Sequence, residues 1–384
     1  MDILLTPNQQ QAIKIAKQRY DNKEPYTCIA GYAGTGKTSC IKYIIDAIGI
    51  DESEVAFTSY TGKAVQVLKD QGFKNTMTTH QLMYKAKRLP NGSFAFTKRG
   101  TLNSSPKLVI VDEISMLPLE MWEQLLTYKI HVICLGDPFQ LPPIKQEHDI
   151  LNHPHIFLNE IHRQAKDNEI IYNSMLVRKG ETLPFSQGEN MEVISSSKLT
   201  QEKVMSVDQV LCATNKTRLN FNHKIRKILG YDEEITDGDR IICTQNYWRM
   251  FSTSLKNPLI NGTIGTIQHP FIGISNHFGK VILGDFVSDE SDHYTGLELD
   301  WMFLHREQPC ITFKEAKRHN IKWDHVPLYF SFAYAITCHK AQGSQWDSVL
   351  VTEERFPFSA EEHARWLYTA ITRASKKCIV ARNF

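Results

Sequence analysis

The sequence predicts an α/β protein of two doubly wound parallel-sheet lobes, each carrying a small β-rich insertion. Three observations predict it. Short apolar runs alternate with helical patterns, a glycine-rich turn joins the first such run to a helix, and in two stretches the alternation breaks down. At 384 residues the chain is too long for one ordinary domain and suits two or three.

The strand candidates are Tyr26–Ala30, Val55–Ser59, Lys107–Val111 and Val132–Leu135, then Val210–Ala213, Val349–Val351 and Cys378–Ala381. They fall into two groups, before and after about residue 150. Runs this apolar, bounded by turns and separated by helices, are the mark of strands buried on both faces. Between Lys85 and Ser105 the pattern changes: Leu89-Pro90-Asn91-Gly92 signals a turn, and Ser93-Phe94-Ala95-Phe96-Thr97 alternates polar with aromatic or small side chains. That reads as a β-hairpin projecting from the first lobe. From about Leu259 to Val326 the chain is rich in glycine and β-formers, with Asn261-Gly262-Thr263-Ile264-Gly265-Thr266-Ile267 as its core, and reads as a small all-β insertion in the second lobe. The expected division is therefore 1–83 with 106–150, the hairpin 84–105, then 151–258 with 327–384, and the insertion 259–326.

Composition narrows the class. Hydrophobic residues are 42% and charged residues 22%, as in ordinary globular proteins. No apolar run approaches the roughly 18 residues of a membrane span, and Met1–Pro7 has neither a basic leader nor a small-residue cleavage site, so a cytoplasmic protein is expected. None of the eight cysteines forms a CxxC pair, and Cys28, Cys134 and Cys212 sit in apolar runs, so neither zinc nor disulfides are expected. The net charge of +2 says little, but its distribution is uneven. Six basic residues and no acid lie between Tyr84 and Lys107, while six acids and no Lys or Arg lie between Val281 and His305. The first stretch suits a phosphate backbone; the second repels one.

Gly31-Tyr32-Ala33-Gly34-Thr35-Gly36-Lys37-Thr38 matches GxxxxGK[ST] between the strand at Tyr26–Ala30 and a helix expected over Ser39–Ile48. In that setting Gly31, Ala33, Gly34, Thr35 and Gly36 turn backbone N–H groups onto nucleotide phosphates at a helix amino terminus. Lys37 reaches the β- and γ-phosphates and Thr38 holds Mg²⁺. About 75 residues on, Val109-Ile110-Val111 ends in Asp112-Glu113. A strand beside the loop delivers Asp112 to the metal and Glu113 to the attacking water as general base. Val132–Leu135 opens into Gly136-Asp137-Pro138-Phe139-Gln140-Leu141-Pro142-Pro143, where Gln140 is placed to sense the γ-phosphate. ATP and Mg²⁺ are the implied cofactors.

Taken together these residues resemble a superfamily 1 DNA helicase of the RecD-like and phage Dda-like branch, in motif order along nearly the whole chain. Leu5-Thr6-x-x-Gln9-x-x-Ala12 is similar to the adenine-reading Q motif, with Gln9 as reader. Thr58–Ala64 and Thr78-Thr79-His80 resemble motifs Ia and Ib, whose Thr61, Lys63, Thr79 and His80 would touch DNA. Asp112–Met116 and Gly136–Pro143 look like motifs II and III, and Leu158–Arg163 looks like motif IV, with Arg163 facing the γ-phosphate. Thr337–Ser344 resembles motif V, giving Thr337 and His339 to DNA and Gly343 to the nucleotide. Leu367–Ala374 resembles motif VI, with Arg373 as a second arginine finger. Tyr60 stands where many relatives have proline, which leaves the motif Ia contact open.

The resemblance implies two RecA-like P-loop lobes, the hairpin as a strand-separating pin, and a small SH3-like second insertion. It implies a DNA-stimulated ATPase, monomeric, that moves 5′ to 3′ on single-stranded DNA and unwinds forks, with replication or recombination proteins as candidate partners. A cleft that closes on ATP through Arg163 and Arg373 would turn hydrolysis into stepping. Phe94 and Phe96 would stack bases for about 1–3 kcal/mol each, against about 1.4 kcal/mol per base-pair step separated. Other readings stay open. Thr6-Pro7-Asn8-Gln9 is also a capping box, a role set against adenine reading for the same glutamine. Phe94 and Phe96 also suit packing on the first lobe, Tyr247–Phe251 suits packing as much as stacking, and His80 and His339 suit satisfied loop histidines. An RNA helicase, a motor of opposite polarity, and an ATP-switched DNA clamp are the rival functions.

Overall fold

The computed structural model describes residues 5–88, 94–142, 149–160, 168–231, 233–253, 258–322, 325–354 and 359–382. The chain divides into two compact units, Met1–Lys85 with Phe96–Leu199 and Ala341–Phe384, and Ala86–Ala95 with Thr200–Lys340.

The opening strands, in the first unit except for the Ala86–Ala95 parts of β4 and β5, are β1 (Tyr26–Gly31), β2 (Val55–Ser59), β3 (Thr76–Thr78), β4 (Tyr84–Arg88), β5 (Phe94–Lys98), β6 (Leu108–Asp112), β7 (His131–Gly136) and β8 (Ile156–Leu158). Six of them form one parallel sheet in the order β3-β2-β6-β7-β1-β8. Alternate residues of each strand enter different cores. Ile29, Phe57, Ile110, Ile133 and Leu135 pack with Ala12, Ile41 and Ile44 on one face. Cys28, Ala30, Val109, Val111 and Cys134 pack with Leu82, Leu117 and Trp122 on the other. Both faces being covered is why these strands read as unbroken apolar runs.

The helices begin where the sequence offers caps. Helix α1 (Pro7–Asp21) starts from a Thr6–Gln9 capping box with proline at its first turn. Helix α2 (Lys37–Ile48) starts two residues before the expected Ser39, because left-handed Gly36 (φ 73°) feeds the phosphate loop straight into it. Helix α3 (Gly62–Asp70) is capped by the Thr61 hydroxyl, which accepts from the Ala64 N–H.

The first unit also holds β9 (Ser186–Gln187), β10 (Met191–Ser195), β20 (Trp346–Glu353) and β21 (Ala374–Arg382). There β21 runs parallel to both β10 and β20, and β9 pairs antiparallel with β10. The helices Glu169–Arg178 and Ala360–Ile371 pack on one another. The second starts from a Ser359–Glu362 capping box. Strands β4 and β5 form a separate two-stranded sheet where the hairpin was expected; its turn, residues 89–93, lies outside the described residues.

In the second unit β11 (Gln209–Cys212) runs parallel to β19 (Ala335–Thr337). An antiparallel sheet is built from β12 (Arg240–Cys243), β15 (Ile264–Ser275), β16 (Gly279–Ser288), β17 (His293–Asp300) and β18 (Phe330–Phe332), in the order β17-β16-β15-β12-β18. Two of these strands lie outside the expected 259–326. Ile241 and Phe330 join Ile267, Phe286 and Leu299 in one core, so the β-rich part needs both flanks to bury its aromatic centre. The small pair β13 (Tyr247–Phe251) and β14 (Pro258–Leu259) packs Tyr247 and Leu259 against that same core.

Candidate nucleotide site

The phosphate loop is shaped by its glycines. A Cβ on Gly31 would lie 2.8 Å from Thr35 Oγ1 and 2.9 Å from Leu158 Cβ, so no larger residue fits where the loop leaves β1. Gly34 takes φ 77°, a left-handed turn that glycine adopts without strain. Within the loop Thr35 Oγ1 donates to the Tyr32 carbonyl at 2.8 Å. Lys37 Nζ donates to the carbonyls of Gly31 (2.7 Å) and Tyr32 (3.0 Å).

Gln9 makes two bonds at once. Its Oε1 accepts from the Thr6 N–H at 3.0 Å, completing the cap, while Nε2 donates to the Thr35 carbonyl at 3.1 Å. The capping role set out in the sequence reading is thus present, and neither bond is the adenine contact it was set against. The Thr35 contact ties α1 to the phosphate loop.

Asp112 ends β6, and Glu113 follows in left-handed conformation (φ 52°), donating its N–H to Asp112 Oδ1 at 2.9 Å. Removal from water pushes the Asp112 carboxyl up to about 7, the neighbouring Glu113 charge adds to this, and Lys37 opposes it. Thr38, in the first turn of α2, and Asp112 offer hard oxygen donors. Among the described residues no group of three or more His, Cys, Asp or Glu is placed to hold a metal. One carboxylate and one hydroxyl fit a cation that takes its remaining ligands from water and phosphate, as Mg²⁺ does.

Beyond β7 the chain turns through Asp137–Leu141, and here the structure brings in residues to which the sequence reading gave no role. Asp137 is 1% exposed and its carboxyl is raised by burial, with Lys37 pulling it down. Its Oδ1 accepts from the Phe139 N–H at 2.9 Å and its Oδ2 from the Tyr368 hydroxyl at 2.5 Å. That hydroxyl also accepts from the Ala33 N–H of the phosphate loop at 2.8 Å. The next residue, Thr369, accepts from the Leu141 N–H at 2.9 Å, and Gln342 Nε2 donates to the Leu141 carbonyl at 2.6 Å. Gln140 is buried within this turn. Residues of the phosphate loop and of motifs III, V and VI thus meet inside one unit.

Arg373 is buried, and its guanidinium donates to the carbonyls of Thr369 (3.1 Å) and Ser344 (3.2 Å) and to the Thr372 hydroxyl (3.3 Å). Arg163 lies outside the described residues. A different arginine stands at the loop: the Arg178 guanidinium sits 3.4 Å above the centre of the Tyr32 ring, whose edge meets Phe157 at 4.9 Å.

The candidate DNA contacts divide. Thr61 caps α3 and lies against Gly343, where a Cβ would come 2.8 Å from its hydroxyl; Lys63 extends over the half-buried Trp346 ring at 5.0 Å. Thr79 is wholly buried and cannot meet a strand: Thr78 is the residue that caps the Thr79–Met83 helix, which turns Thr79 into the core. His80 stacks on Tyr84 at 4.6 Å and meets the edge of Phe96 at 4.8 Å, and burial lowers its pKa, so the neutral ring packs at the foot of the hairpin. The Phe94 side chain lies outside the described residues. That foot is fixed by Arg99 Nε donating to the Tyr84 carbonyl (3.1 Å) and Tyr128 donating to the Arg99 carbonyl (2.8 Å). In the second unit Thr337 ends β19, and half-buried His339 follows with its pKa lowered by burial.

Residues 4–198 match the family model described as an AAA domain, and residues 332–381 match that of the UvrD-like helicase C-terminal domain. An uncharacterized protein of Acanthamoeba polyphaga mimivirus is 24% identical over 97% of this chain and 98% of its own length. The ATP-dependent RecD2 DNA helicase of Deinococcus radiodurans is 26% identical over 90% of this chain, and the ATP-dependent DNA helicase dda of Enterobacteria phage T4 is 26% identical over 37%. The matches span only 45% and 33% of those two relatives. Pif1 helicase from Bacteroides in complex with ADP-AlF3 and single-stranded DNA shares the fold at a TM-score of 0.53 and 18% identity, covering 99% of this chain and 92% of that one. A Pif1 structure described for unwinding at forked duplex DNA gives a TM-score of 0.55 at 18% identity, covering 100% and 92%. With an AAA domain over half its length and a UvrD-like helicase C-terminal domain behind it, this chain belongs to the superfamily 1 helicases of the RecD- and Dda-like kind.

Proposed function

We propose that this chain is an ATP-dependent DNA helicase that moves 5′ to 3′ along single-stranded DNA and unwinds duplex ahead of it. The observation that carries the reading is the junction of phosphate loop, Asp137–Leu141 turn, Gln342 and the Ala360–Ile371 helix. A metabolic P-loop kinase has no use for such a junction, whereas a motor must connect nucleotide chemistry to a second set of elements. The names of the RecD2, dda and Pif1 relatives support DNA as the polymer and a fork as its substrate.

In this reading the loop amides and Lys37 bind the β- and γ-phosphates, and Glu113 takes the proton from attacking water. Thr38 and Asp112 would hold Mg²⁺, which when bound supplies charge neutralisation on the phosphate oxygens. Gln140, Arg163 and Arg373 respond to the γ-phosphate; for Arg373 this requires its guanidinium to leave the Thr369 and Ser344 carbonyls. Gln9 steadies the loop beside the base. Thr61, Lys63 and His80 of the first unit and, separately, Thr337 and His339 of the second are the residues assigned to DNA, and the hairpin 84–105, with Phe94 and Phe96, is the pin. The β-rich part around 259–326, together with its flanking strands β12 and β18, is a small domain of the second lobe.

The test is unwinding of forked duplexes carrying only a 5′ or only a 3′ single-stranded tail, with ATPase measured alongside on DNA, on RNA and without polymer. Unwinding of the 5′-tailed fork with DNA-stimulated hydrolysis is expected. Stimulated hydrolysis without unwinding identifies a clamp, stimulation by RNA alone an RNA motor, and unwinding from the 3′ tail the opposite polarity.

A further inference from the structure

Ala33, the third residue of the phosphate loop, has one backbone N–H, and the Tyr368 hydroxyl accepts it at 2.8 Å. The same hydroxyl spends its proton on Asp137 Oδ2 at 2.5 Å, so one oxygen joins a loop amide to a buried carboxylate. The ring has little freedom: it is 1% exposed and meets the Phe139 ring edge-on at 5.3 Å. Neighbouring Thr369 holds the far end of the Asp137–Leu141 turn through the Leu141 N–H. Tyr32, the residue before Ala33, is covered by Arg178 from the helix that packs against Ala360–Ile371. Two successive loop residues are thus held by one pair of helices.

A single N–H serves one strong acceptor well. Amides of this loop type cradle phosphate, whose charged oxygens make shorter and stronger bonds than a neutral phenol. Phosphate and phenol are therefore alternative acceptors for the Ala33 amide. When phosphate takes it, the phenol keeps only Asp137, and the helix that carries both Tyr368 and the approach to Arg373 is freed from the loop.

We propose that Tyr368 is a positioning residue that competes with the nucleotide for the Ala33 amide and so passes the state of the phosphates to the Ala360–Ile371 helix. The proposal rests on the nucleotide site described above, and its failure is separable from failure of that site. The experiment measures affinity for a fluorescent non-hydrolysable ATP analogue, and kcat and KM of DNA-stimulated hydrolysis, in the full chain and in Tyr368→Phe, Thr369→Val and Lys37→Ala. Tyr368→Phe keeps the buried ring and removes the competitor. It is expected to bind the analogue about five- to tenfold more tightly, the equivalent of one neutral hydrogen bond, while kcat falls. Thr369→Val, which loosens the same helix without touching the loop amide, is expected to show no tightening; thermal unfolding establishes that each variant is folded. Unchanged or weaker binding in folded Tyr368→Phe, or equal tightening in Thr369→Val, overturns the role of the tyrosine. If Tyr368→Phe does not fold, Tyr368→Leu, which keeps an apolar side chain and carries no acceptor, is put to the same criterion. Wild-type protein that does not bind the analogue, or binds it as well after Lys37→Ala, overturns the nucleotide site and the proposal with it.

Discussion

Gly343 combines two constraints that can be measured apart. It has φ +71°, and a Cβ there would come 2.8 Å from Thr61 Oγ1, 3.2 Å from Met116 Sδ and 3.5 Å from Ala64 Cβ. The left-handed backbone alone costs a non-glycine residue about 1–2 kcal/mol. Forcing a methyl group against three neighbours adds about 1–3 kcal/mol, the range for overpacked sites. Gly49, at the end of α2, supplies the control: it has φ +81° with nothing within 4 Å of its would-be Cβ. Gly343→Ala should therefore lose about 2–5 kcal/mol and Gly49→Ala only the backbone part. At about 2–4 °C per kcal/mol for a unit of this size, Gly343→Ala melts clearly below Gly49→Ala. The displaced atom is the cap of α3, so Gly343→Ala should also lower DNA stimulation of hydrolysis while Gly49→Ala leaves it unchanged. Melting by differential scanning calorimetry reads the first effect and ATPase with and without single-stranded DNA the second. Equal melting losses in the two variants would refute the contact between Gly343 and Thr61.

Three further outcomes are expected. Gly31→Ala places a Cβ 2.8 Å from Thr35 Oγ1 and 3.0 Å from the Leu158 carbonyl, so nucleotide affinity should fall at least tenfold by fluorescence titration; retained affinity would show that the loop tolerates the methyl. Arg226 and Asp239 form a buried pair at 2.9 Å, with Thr236 N–H and the Tyr334 hydroxyl also donating to Asp239. Arg226→Met strands that carboxylate and should cost about 3–5 kcal/mol in urea unfolding, whereas a loss below 1 kcal/mol would mean the pair is dispensable. Burial lowers the pKa of His80, His131, His155, His305 and His339, so below about pH 6.5 the unfolded chain binds protons that the fold refuses. Each therefore withdraws stability as pH falls through the unfolded value, and the more exposed rings withdraw less. Asp112, raised to about 7 in the fold, and Asp137, also raised, act oppositely as pH falls, but the histidines outnumber them, so the melting temperature should fall from pH 7.5 to 5.5. A flat or rising profile contradicts this.

What was legible in the sequence was chemistry at fixed local spacing. Gly34 and Gly36 mark left-handed backbone that glycine adopts easily, Gly31 marks a close approach to Thr35 and Leu158, and Lys37-Thr38 follow at the offset the first helical turn imposes. The strands were legible because both faces are buried, which makes residues such as Ile29 and Ala30 equally apolar while they enter different cores. The flanking strands β12 and β18 were missed for a matching reason: four and three residues, respectively, give too little pattern to show which sheet they join. Thr79 was misjudged because two adjacent threonines precede one short helix, and only the capping geometry selects Thr78 as the residue turned outward.

The junction at the phosphate loop was illegible for a deeper reason. Ala33 and Leu141 contribute main-chain N–H groups, which every residue but proline possesses, so nothing at those positions marks them as part of a site. Their partners Tyr368 and Thr369 lie 335 and 228 residues away on a helix whose buried residues read as core. Gln9 shows the same limit in miniature. Its cap is visible as a four-residue pattern, while its bond to the Thr35 carbonyl crosses 26 residues and leaves no trace in the pattern. Side chains that do chemistry announce themselves by type. Groups that transmit its outcome here bind backbone, and a substitution such as Ala33→Ser leaves that bond in place. It follows that alterations felt by the junction should concentrate at Tyr368, Thr369 and Gln342, whose side chains cannot be replaced without losing a bond, and spare the loop and turn residues they hold.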